Sequence, residues 1–352
     1  MKVFHIESGL GNQMLSYCEL LAMSKMNPDE QFYIETIIYD IPECNEVTCQ
    51  WNGYELERIF GINRHQNIKT IFSELQWAKI MDDIRKSEFW KYNMNYPVAF
   101  TKAFANSGLV LENTLGDFSQ VEFMKGRETS LMARIRRTLV DTYVGNYLKR
   151  LNNTLRETEV IKSLDRRNRI FLKSDDDLFC GQLLALKFRG NDRELIDNEI
   201  KQTFRFPAFT DSINMEMSSF LDKSNSVAIH ARRGDLLGNN GWCYKYGYFR
   251  RAVNHIRKNV ANPVFVFFTD PGSIQWCRDN ARTFGLDYSK DKVYFVDWNS
   301  GSESFRDMQL MSHCKHAIIT TSSFGWWGAY FINNPEKITI SPCVEIDTTY
   351  HC

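Results

Sequence analysis

The sequence has no excess of either charge and no long apolar run. It contains 43 Lys and Arg residues against 43 Asp and Glu residues in a chain of 352. A balanced chain lacks the long-range attraction for nucleic acid that a basic protein has, so an anionic ligand has to be bound by a local cluster of donors. No stretch approaches the roughly 18 uncharged apolar residues that a membrane-spanning helix needs. We therefore expect neither nucleic-acid binding nor a transmembrane segment.

Signals for secretion and for cysteine-bound metal are also missing. Met1 to Glu7 has the alternation of a short strand, without the apolar core of a signal peptide. The nine cysteines are scattered and include no C-x-x-C pair, which excludes zinc-ribbon and thioredoxin-like motifs. Cys44 and Cys49 could close a small loop, but a cytoplasmic chain keeps its thiols reduced. We expect a cytoplasmic protein with free thiols, and peripheral contact with the inner membrane is the alternative.

Two charged segments are interpreted as solvent-exposed. The three consecutive acids Asp175 to Asp177 do not share one face of a helix or strand and have no histidine nearby, so no metal site is predicted. Arg134 to Arg169 looks mostly helical and contains ten Lys or Arg against four Asp or Glu. A solvated helical face is the favoured interpretation, and contact with a membrane surface or an acidic acceptor is the alternative.

The chain opens with a strand, a glycine-containing turn and a helix. The strand pattern covers Lys2 to Glu7, S-G-L-G-N-Q follows at Ser8 to Gln13, and helical apolar spacing covers Met14 to Met26. This arrangement aims backbone N–H groups at an anion. Neither G-x-G-x-x-G nor a P-loop lysine is present, so a plain tight turn is the favoured interpretation of this segment taken alone, and phosphate binding is the alternative.

The second half of the chain alternates buried strands with helices. The strand patterns cover 227–230, 263–270, 292–298, 317–321 and 337–341, with helical patterns at 248–260, at 304–313 and after 322. This alternation predicts a parallel sheet whose ligands bind at the carboxyl ends of the strands. Because the length favours two domains, we place an N-terminal domain at 1–220 and a C-terminal domain at 221–352.

Three polar clusters follow strands of this second half. They are H-A-R-R-G-D at His230 to Asp235, Thr269-Asp270, and Thr320 to Ser323 ahead of a helix. Adjacent strand ends can share one crevice, where an arginine fork and free helix N–H groups bind phosphate oxygens. Taken singly, the same segments could be a local Arg–Asp ion pair, a β-turn and an ordinary helix cap. Their joint occurrence favours a nucleoside diphosphate ligand.

Four motifs in order resemble those of a known family. They are G-L-G-N-Q-M after the first strand, S-V-A-I-H-A-R-R-G-D, F-F-T-D followed by W-C, and the run from D-M-Q-L-M-S-H-C through T-T-S-S-F-G-W-W-G. Together they resemble the bacterial α-1,2-fucosyltransferases of glycosyltransferase family 11. The resemblance is specific at 8–17 and from about 226 to 331, and it is faint elsewhere.

The resemblance implies a fold and an activity. The fold is α/β and GT-B-like, with two Rossmann-like domains facing a cleft, an N-terminal domain mainly on the acceptor side and a C-terminal domain that binds the GDP-sugar. The activity is transfer of L-fucose from GDP-β-L-fucose to the 2-hydroxyl of a terminal galactose, with inversion and without a metal or other cofactor. The implied acceptor is a galactose-terminated glycan, including one built on a lipid carrier for a surface polysaccharide or O-antigen.

The resemblance also implies residue roles. Arg232 matches the arginine that holds the β-phosphate of the donor, and Arg233 and Asp235 match positions that shape its loop. Asp307 falls where related enzymes read the guanine edge, and Asn12 matches an asparagine that approaches the donor. The other predicted substrate-binding residues are Gly11, Gln13, Asp270, Thr321, Ser322, Ser323 and Phe324.

The sequence departs from the family pattern at several positions. Pro271 follows Asp270 where a second aspartate is usual, Gly325 replaces a common serine, and Leu15-Ser16-Tyr17 replaces Phe-Gln-Tyr. These changes leave the acceptor unidentified.

The proton acceptor is also open. His230 and Asp235 are candidate bases by proximity to the arginines, and neither is assigned.

Two alternative functions remain, a transferase for another GDP-sugar and a catalytically silent GDP- or glycan-binding protein. The sequence leaves the oligomeric state open.

Overall fold

The computed structural model describes residues 1–47, 51–62, 66–114, 131–140, 169–181, 191–235 and 237–342, with isolated positions between 142 and 162. The chain divides into two compact units. The first includes residues 1–135 and 155–205, and the second comprises residues 136–154 and 206–351. Each unit contains one five-stranded sheet in which every described strand pair is parallel. The predicted α/β class with two Rossmann-like domains is confirmed.

The elements are labelled in chain order. The strands are β1 (Lys2–His5), β2 (Phe32–Glu35), β3 (Gln66–Asn67), β4 (Glu112–Asn113), β5 (Leu178–Cys180), β6 (Ser226–His230), β7 (Val264–Phe268), β8 (Lys292–Phe295), β9 (His316–Ile319) and β10 (Thr339–Ile340). The helices are α1 (Leu10–Met26), α2 (Leu56–Phe60), α3 (Glu74–Ser87), α4 (Tyr96–Ala105), α5 (Leu131–Val140), α6 (Asn191–Thr203), α7 (Ser212–Lys223), α8 (Leu237–Lys245), α9 (Tyr248–Asn259), α10 (Ile274–Asp279), α11 (Ala281–Phe284), α12 (Phe305–Ser312) and α13 (Ser323–Tyr330).

The first sheet has the strand order β3-β2-β1-β5-β4. One face is covered by an aromatic core from α3 and α4, in which Phe100 and Phe104 are fully buried beside Val3 and Phe179. Apolar residues of β1 therefore pack on both sides, as expected for a parallel strand inside a sheet.

The second sheet has the order β10-β9-β6-β7-β8, so β6 is the central strand and lies between β9 and β7. Alternate residues of β6 enter two separate cores. Val227 and Ile229 pack with Phe249 and Val253 of α9, whereas Ala228 packs with Leu310 of α12. After β8 the chain crosses to the other side of β6 and adds β9 and then β10, so the order of strand addition reverses between β6 and β9. Such a switch point is where open α/β sheets bind ligands.

The division predicted at residue 221 stays a prediction. Phe209, Phe220 and Leu221 pack in the core of the second sheet. The start of the first helix differs from the sequence-based expectation. Helix α1 begins at Leu10, so the predicted glycine loop largely forms the first turn of the helix. Gly9 is its N-cap and takes an ordinary extended conformation, φ −79° and ψ 171°.

The structure describes six of the nine cysteines. Cys18, Cys44, Cys180, Cys243, Cys277 and Cys314 are buried free thiols. Cys49, the proposed partner of Cys44, lies outside the described residues. Among the described helices, none is both long and apolar enough to cross a bilayer.

Candidate active site

The three polar clusters of the second unit lie at neighbouring strand ends. The loop Ala231–Asp235 follows β6, Thr269 and Asp270 follow β7, and Thr320 to Ser322 follow β9. Because β6 is hydrogen-bonded to both β7 and β9, these loops meet at the carboxyl edge of the sheet. The convergence predicted from the sequence is confirmed.

Arg232 lies between two carboxylates. Its Nη2 is 2.8 Å from Asp235 Oδ1, and its Nε is 3.3 Å from Asp270 Oδ1. The backbone N–H of Arg232 donates to Thr320 Oγ1 at 3.0 Å. The Arg232 side chain is 16% exposed. The guanidinium is therefore held in place at the ligand-binding edge, and part of it faces solvent.

Asp270 organises the loop that carries Arg232. Its two carboxylate oxygens accept from the backbone N–H groups of Arg233 at 3.3 Å and Gly234 at 2.9 Å. A Cβ on Gly234 would lie 3.2 Å from Asp270 Cγ, which is tighter than normal van der Waals contact. These contacts fix the loop shape; direct binding of substrate by Asp270 stays a prediction.

Arg233 points into an aromatic cluster. Its guanidinium carbon lies 3.4 Å from the ring centroid of Trp276 and 4.9 Å from that of Tyr244. A cation stacked at this distance gains from the ring quadrupole and loses conformational freedom. Of the two adjacent arginines, Arg233 therefore anchors the loop and Arg232 is placed for an anion.

His230 is buried and neutral. Burial, followed by the charge of Arg232, lowers the pKa of His230 to about 3, and its Nδ1 has no hydrogen-bond partner. The imidazole stacks on Phe324 with centroids 5.8 Å apart. A Cβ on Gly325 would lie 2.8 Å from His230 Cγ. Glycine at 325 therefore lets α13 pack directly on the imidazole, and the low pKa disfavours His230 as a general base.

Asn240 joins two of the loops and was missed by the sequence. Its Nδ2 donates to the carbonyls of Arg232 at 3.2 Å and Thr321 at 3.1 Å, and its Oδ1 accepts from the Thr321 N–H at 3.0 Å. The residue is fully buried. The only sequence signal was an asparagine inside a helix, where its intrinsic propensity is poor.

Helix α13 begins at the same edge without a side-chain cap. Ser322 is its N-cap residue in an extended conformation, and its hydroxyl makes no capping bond. The first N–H groups of a helix have no intrahelical acceptor and carry partial positive charge. Thr321 Oγ1 is buried without a partner. The segment Thr321–Phe324 therefore offers donors for an anion, as predicted, although binding itself stays a prediction.

Asp307 lies in the first turn of α12, after the end of β8. Its Oδ1 accepts from Asn299 Nδ2 at 2.8 Å, and Asn299 is held in turn by the buried Asn214 at 2.9 Å. Burial raises the pKa of Asp307 to about 7. A carboxyl group that titrates near neutrality and is positioned by an amide network is typical of a functional site.

In the first unit, the residues predicted to contact the GDP-sugar lie in the first turn of α1. Gln13 is fully buried, and its Nε2 donates to the carbonyls of Ser8 at 2.9 Å and Gly53 at 2.8 Å. Asn12 Oδ1 is buried without a partner. Gln13 therefore holds the backbone, Asn12 has an unused acceptor, and Gly11 is buried within the helix.

A charged cluster lies at the carboxyl end of β1. The buried His5 Nδ1 is 2.5 Å from Glu35 Oε2, and its Nε2 is 3.4 Å from Glu7 Oε2. Burial alone would lower the pKa of His5, but Glu35 and Glu7 outweigh it and raise the pKa to about 9. Tyr96 stacks on the imidazole with centroids 4.2 Å apart. His5 is thus a cation that holds two carboxylates beside the turn into α1.

The described residues contain no group of three or more His, Cys, Asp or Glu side chains arranged to hold a metal ion.

The fold and the site define a class: a Rossmann-like α/β protein with a partly exposed arginine and the uncapped start of a helix at the switch point of its second sheet. Residues 196–351 match the family model of Glycosyl transferase family 11. The resemblance predicted from the motifs is confirmed over this part of the chain.

Known proteins share parts of the sequence. An alpha-1,2-colitosyltransferase of Escherichia coli is 31% identical over 46% of this chain and 56% of its own length. The O-antigen biosynthesis glycosyltransferase WbnK of Escherichia coli is 31% identical over 34% of this chain and 39% of its length. The galactoside alpha-(1,2)-fucosyltransferase 1 of Plecturocebus brunneus is 33% identical over 30% and 28%. The chain thus spans between about a quarter and just over half of these relatives.

The comparison with solved structures found that of NodZ alpha-1,6-fucosyltransferase soaked with GDP-fucose. It is 12% identical, covers 93% of this chain and 90% of its own, and has a TM-score of 0.45.

Proposed function

We propose that the protein is an inverting α-1,2-fucosyltransferase, which transfers L-fucose from GDP-β-L-fucose to the 2-hydroxyl of a terminal galactose. The observation that carries the proposal is the placement of Arg232 beside the switch point of the second sheet, next to the uncapped start of α13. The family match over residues 196–351 and the names of the three relatives support the same reaction class.

The proposed chemistry uses fixed charge. Breaking the bond between fucose and phosphate leaves extra negative charge on GDP while the sugar becomes oxocarbenium-like. Donors that are already oriented at the β-phosphate stabilise that charge more in the transition state than in the ground state. Arg232 and the first N–H groups of α13 are such donors. In this proposal they perform the role that a divalent metal has in other transferases, so no metal is required.

Asp307 is proposed to bind the guanine base. A carboxylate can accept two hydrogen bonds from the guanine edge, and Asn299 holds the Asp307 side chain in one orientation. For the proton of the acceptor hydroxyl, Asp235 is the remaining candidate base. It is 44% exposed and already paired with Arg232, whereas His230 is buried with a low pKa.

The direct test is GDP release from GDP-fucose in EDTA, with and without lactose. We expect acceptor-stimulated release in the wild type. In Arg232→Lys the charge is kept but the planar fork is lost, so turnover should fall about a hundredfold. Arg257→Lys is the matched control, because Arg257 also pairs with an aspartate, Asp291 at 2.8 Å, outside the strand-end site.

Three results would contradict the proposal. Near-normal turnover in Arg232→Lys would remove Arg232 from the central role. Strict dependence on Mg²⁺ or Mn²⁺ would contradict the proposed metal independence. GDP binding without any turnover would favour a catalytically silent GDP- or glycan-binding protein.

A second candidate donor follows from the name of one relative. Because the Escherichia coli protein that matches 46% of this chain is an alpha-1,2-colitosyltransferase, a colitosyl donor deserves the same assay. The contacts proposed for guanine and diphosphate would be alike for either sugar. Turnover with GDP-colitose and none with GDP-fucose would assign the protein to that donor.

The acceptor is proposed to be a galactose-terminated glycan on a lipid carrier, handled at the cytoplasmic face of the membrane. The O-antigen relative supports this class of acceptor. Helix α5 supports peripheral contact, because its described side chains Leu131, Met132, Ile135 and Leu139 are exposed. The same helix contains three arginines, and the stretch 134–169 holds ten basic residues against four acidic ones. Exposed apolar side chains in a segment of basic sequence suit an anionic lipid surface.

A further inference from the structure

Trp51 is an unusually exposed aromatic residue at the carboxyl edge of the first sheet. It is 48% exposed, although tryptophan side chains are highly buried on average. A Cβ on Gly9 would lie 2.6 Å from Trp51 Cδ1 and 3.2 Å from its Nε1. The five-membered ring of the indole therefore rests directly on the glycine that precedes α1.

The loop that carries Trp51 is tied to the turn before α1. Gln13 Nε2 donates to the carbonyls of both Ser8 and Gly53, and the N–H of Glu55 donates to Gln13 Oε1 at 2.9 Å. Tyr39 OH also donates to the carbonyl of Ser8 at 2.8 Å. The indole is consequently presented by a fixed backbone.

Two polar groups of the same turn have unused acceptors. Ser8 Oγ and Asn12 Oδ1 are buried and have no hydrogen-bond partner in the structure. Ser8 also has φ 65°, a left-handed conformation that costs a non-glycine residue free energy. Buried polar atoms are nearly always paired in a folded protein, so oxygens left without a donor point to a ligand that brings hydroxyl groups.

The occupant that fits both features is a sugar ring. A pyranose has one apolar C–H face, which packs on an exposed aromatic ring, and hydroxyl groups around its rim, which donate to oxygens. Aromatic side chains with a few placed polar groups are the usual lining of small-molecule sites. A nucleotide base could also stack on the indole. Its phosphates, however, would find no positively charged side chain among the described residues of this turn.

We propose that the Trp51 indole, held on Gly9 beside Ser8 and Asn12, is the stacking platform for the terminal pyranose of the glycan acceptor. This inference rests on the proposed function. It assigns the stacking contact to Trp51, which lies outside the four family motifs, and it places Asn12 on the acceptor side, whereas the family resemblance implied a contact with the donor.

The test compares acceptor and donor kinetics in Trp51→Ala and Trp51→Phe, with GDP-fucose and lactose. Loss of a central aromatic contact should raise the KM for lactose in Trp51→Ala about thirtyfold or more, while kcat and the Kd for GDP stay near wild type. Trp51→Phe keeps a smaller ring and should recover most of the loss. Tyr92→Ala, which removes another exposed aromatic side chain of the same unit, is the matched control.

A double-mutant cycle with Gly9→Ala tests the geometry. The backbone of Gly9 permits alanine, so the added methyl group should act by displacing the indole. Gly9→Ala should therefore raise the KM for lactose in the wild-type background and have no further effect in Trp51→Ala. Additive effects of the two changes would overturn the arrangement.

The outcomes separate the platform from the proposed function. If the wild type transfers fucose and Trp51→Ala has a normal KM for lactose, the platform is wrong and the function stands. A raised KM for GDP-fucose instead would place the indole on the donor side and overturn the inference. If the wild type transfers no sugar, saturation-transfer NMR with methyl β-galactoside tests binding directly. A signal that is present in the wild type and lost in Trp51→Ala supports the stacking platform. An equal signal in both proteins, or no signal in the wild type, overturns it.

Discussion

At the residue scale, the two strand-end arginines have different surroundings although they are adjacent in sequence. Arg233 stacks on Trp276, and Arg232 lies between Asp235 and Asp270. The family resemblance assigned Arg232 to phosphate and Arg233 to the loop. The residue pattern alone could not separate them, because Trp276 and Tyr244 lie 43 and 11 residues from Arg233 along the chain. Asn240 was missed for the same reason: its partners Arg232 and Thr321 become neighbours only through the sheet.

Asp307 gives a prediction about pH. Its carboxyl group has a pKa of about 7 in the folded protein, and in the proposed contact only the ionised form would accept both hydrogen bonds from guanine. Because apparent affinity scales with the competent fraction, the affinity for GDP should rise about tenfold between pH 6 and pH 8. Isothermal titration calorimetry measures this directly.

The control for this prediction is Asp307→Asn, which cannot titrate. Its GDP affinity should be lower at pH 8 and nearly independent of pH. A pH dependence that survives in Asp307→Asn would belong to another group and would remove the carboxylate from guanine recognition.

At the element scale, the sequence predicted the five strands of the second unit and its helices α9, α12 and α13 within a few residues, whereas it predicted none of α7, α8, α10 and α11. Apolar runs such as 264–268 are long enough to identify as buried strands, and turns separate them clearly. The start of α1 was placed four residues late, because the two glycines at 9 and 11 resemble a loop. Glycine at the N-cap and within the first turn is compatible with a helix when the surrounding side chains pack it on all sides.

Gly325 gives a prediction about the packing of α13. In Gly325→Ala the new methyl group would overlap the His230 imidazole, so either the ring or the start of the helix has to move. Overpacking of this kind costs about 1–3 kcal/mol of unfolding free energy. Since the start of α13 is proposed to bind phosphate, GDP affinity should fall as well, which denaturation and calorimetry would measure.

Gly241→Ala is the matched control for this substitution. A Cβ at Gly241 meets no atom within 4 Å, and the residue lies inside helix α8. Alanine there should keep or increase stability and leave GDP affinity unchanged. Equal unfolding free energies and equal GDP affinities in the two variants would mean that the contact between α13 and His230 contributes to neither.

At the scale of the whole molecule, the composition predicted a protein without net charge. The charges are nevertheless unevenly distributed along the sequence, and this uneven distribution bears on membrane contact. The basic stretch 134–169 was interpreted as a solvated helical face. The exposed apolar side chains of α5, its described beginning, add a feature that charge counting could not provide. The sequence of a helix does not show whether the rest of the chain covers its apolar side chains, so their exposure could not be predicted.

Vesicle binding tests the membrane proposal. Phosphatidylglycerol vesicles should bind the wild type and release it at high salt, and phosphatidylcholine vesicles should bind it weakly. Leu139→Glu places a charge where a leucine would enter the lipid and should reduce binding about tenfold. Leu75→Glu, at an exposed leucine of α3, should bind as the wild type does. Equal loss in both variants would argue against a specific contact through α5.

The buried thiols have a practical consequence for measuring these changes. Cys18, Cys44 and Cys180 lie in the first unit, and Cys243, Cys277 and Cys314 lie in the second. A native protein shields all six from an alkylating reagent, so each becomes labelled only when its surroundings open. Mass spectrometry of the labelled peptides would therefore time the opening of each unit separately, without any added probe.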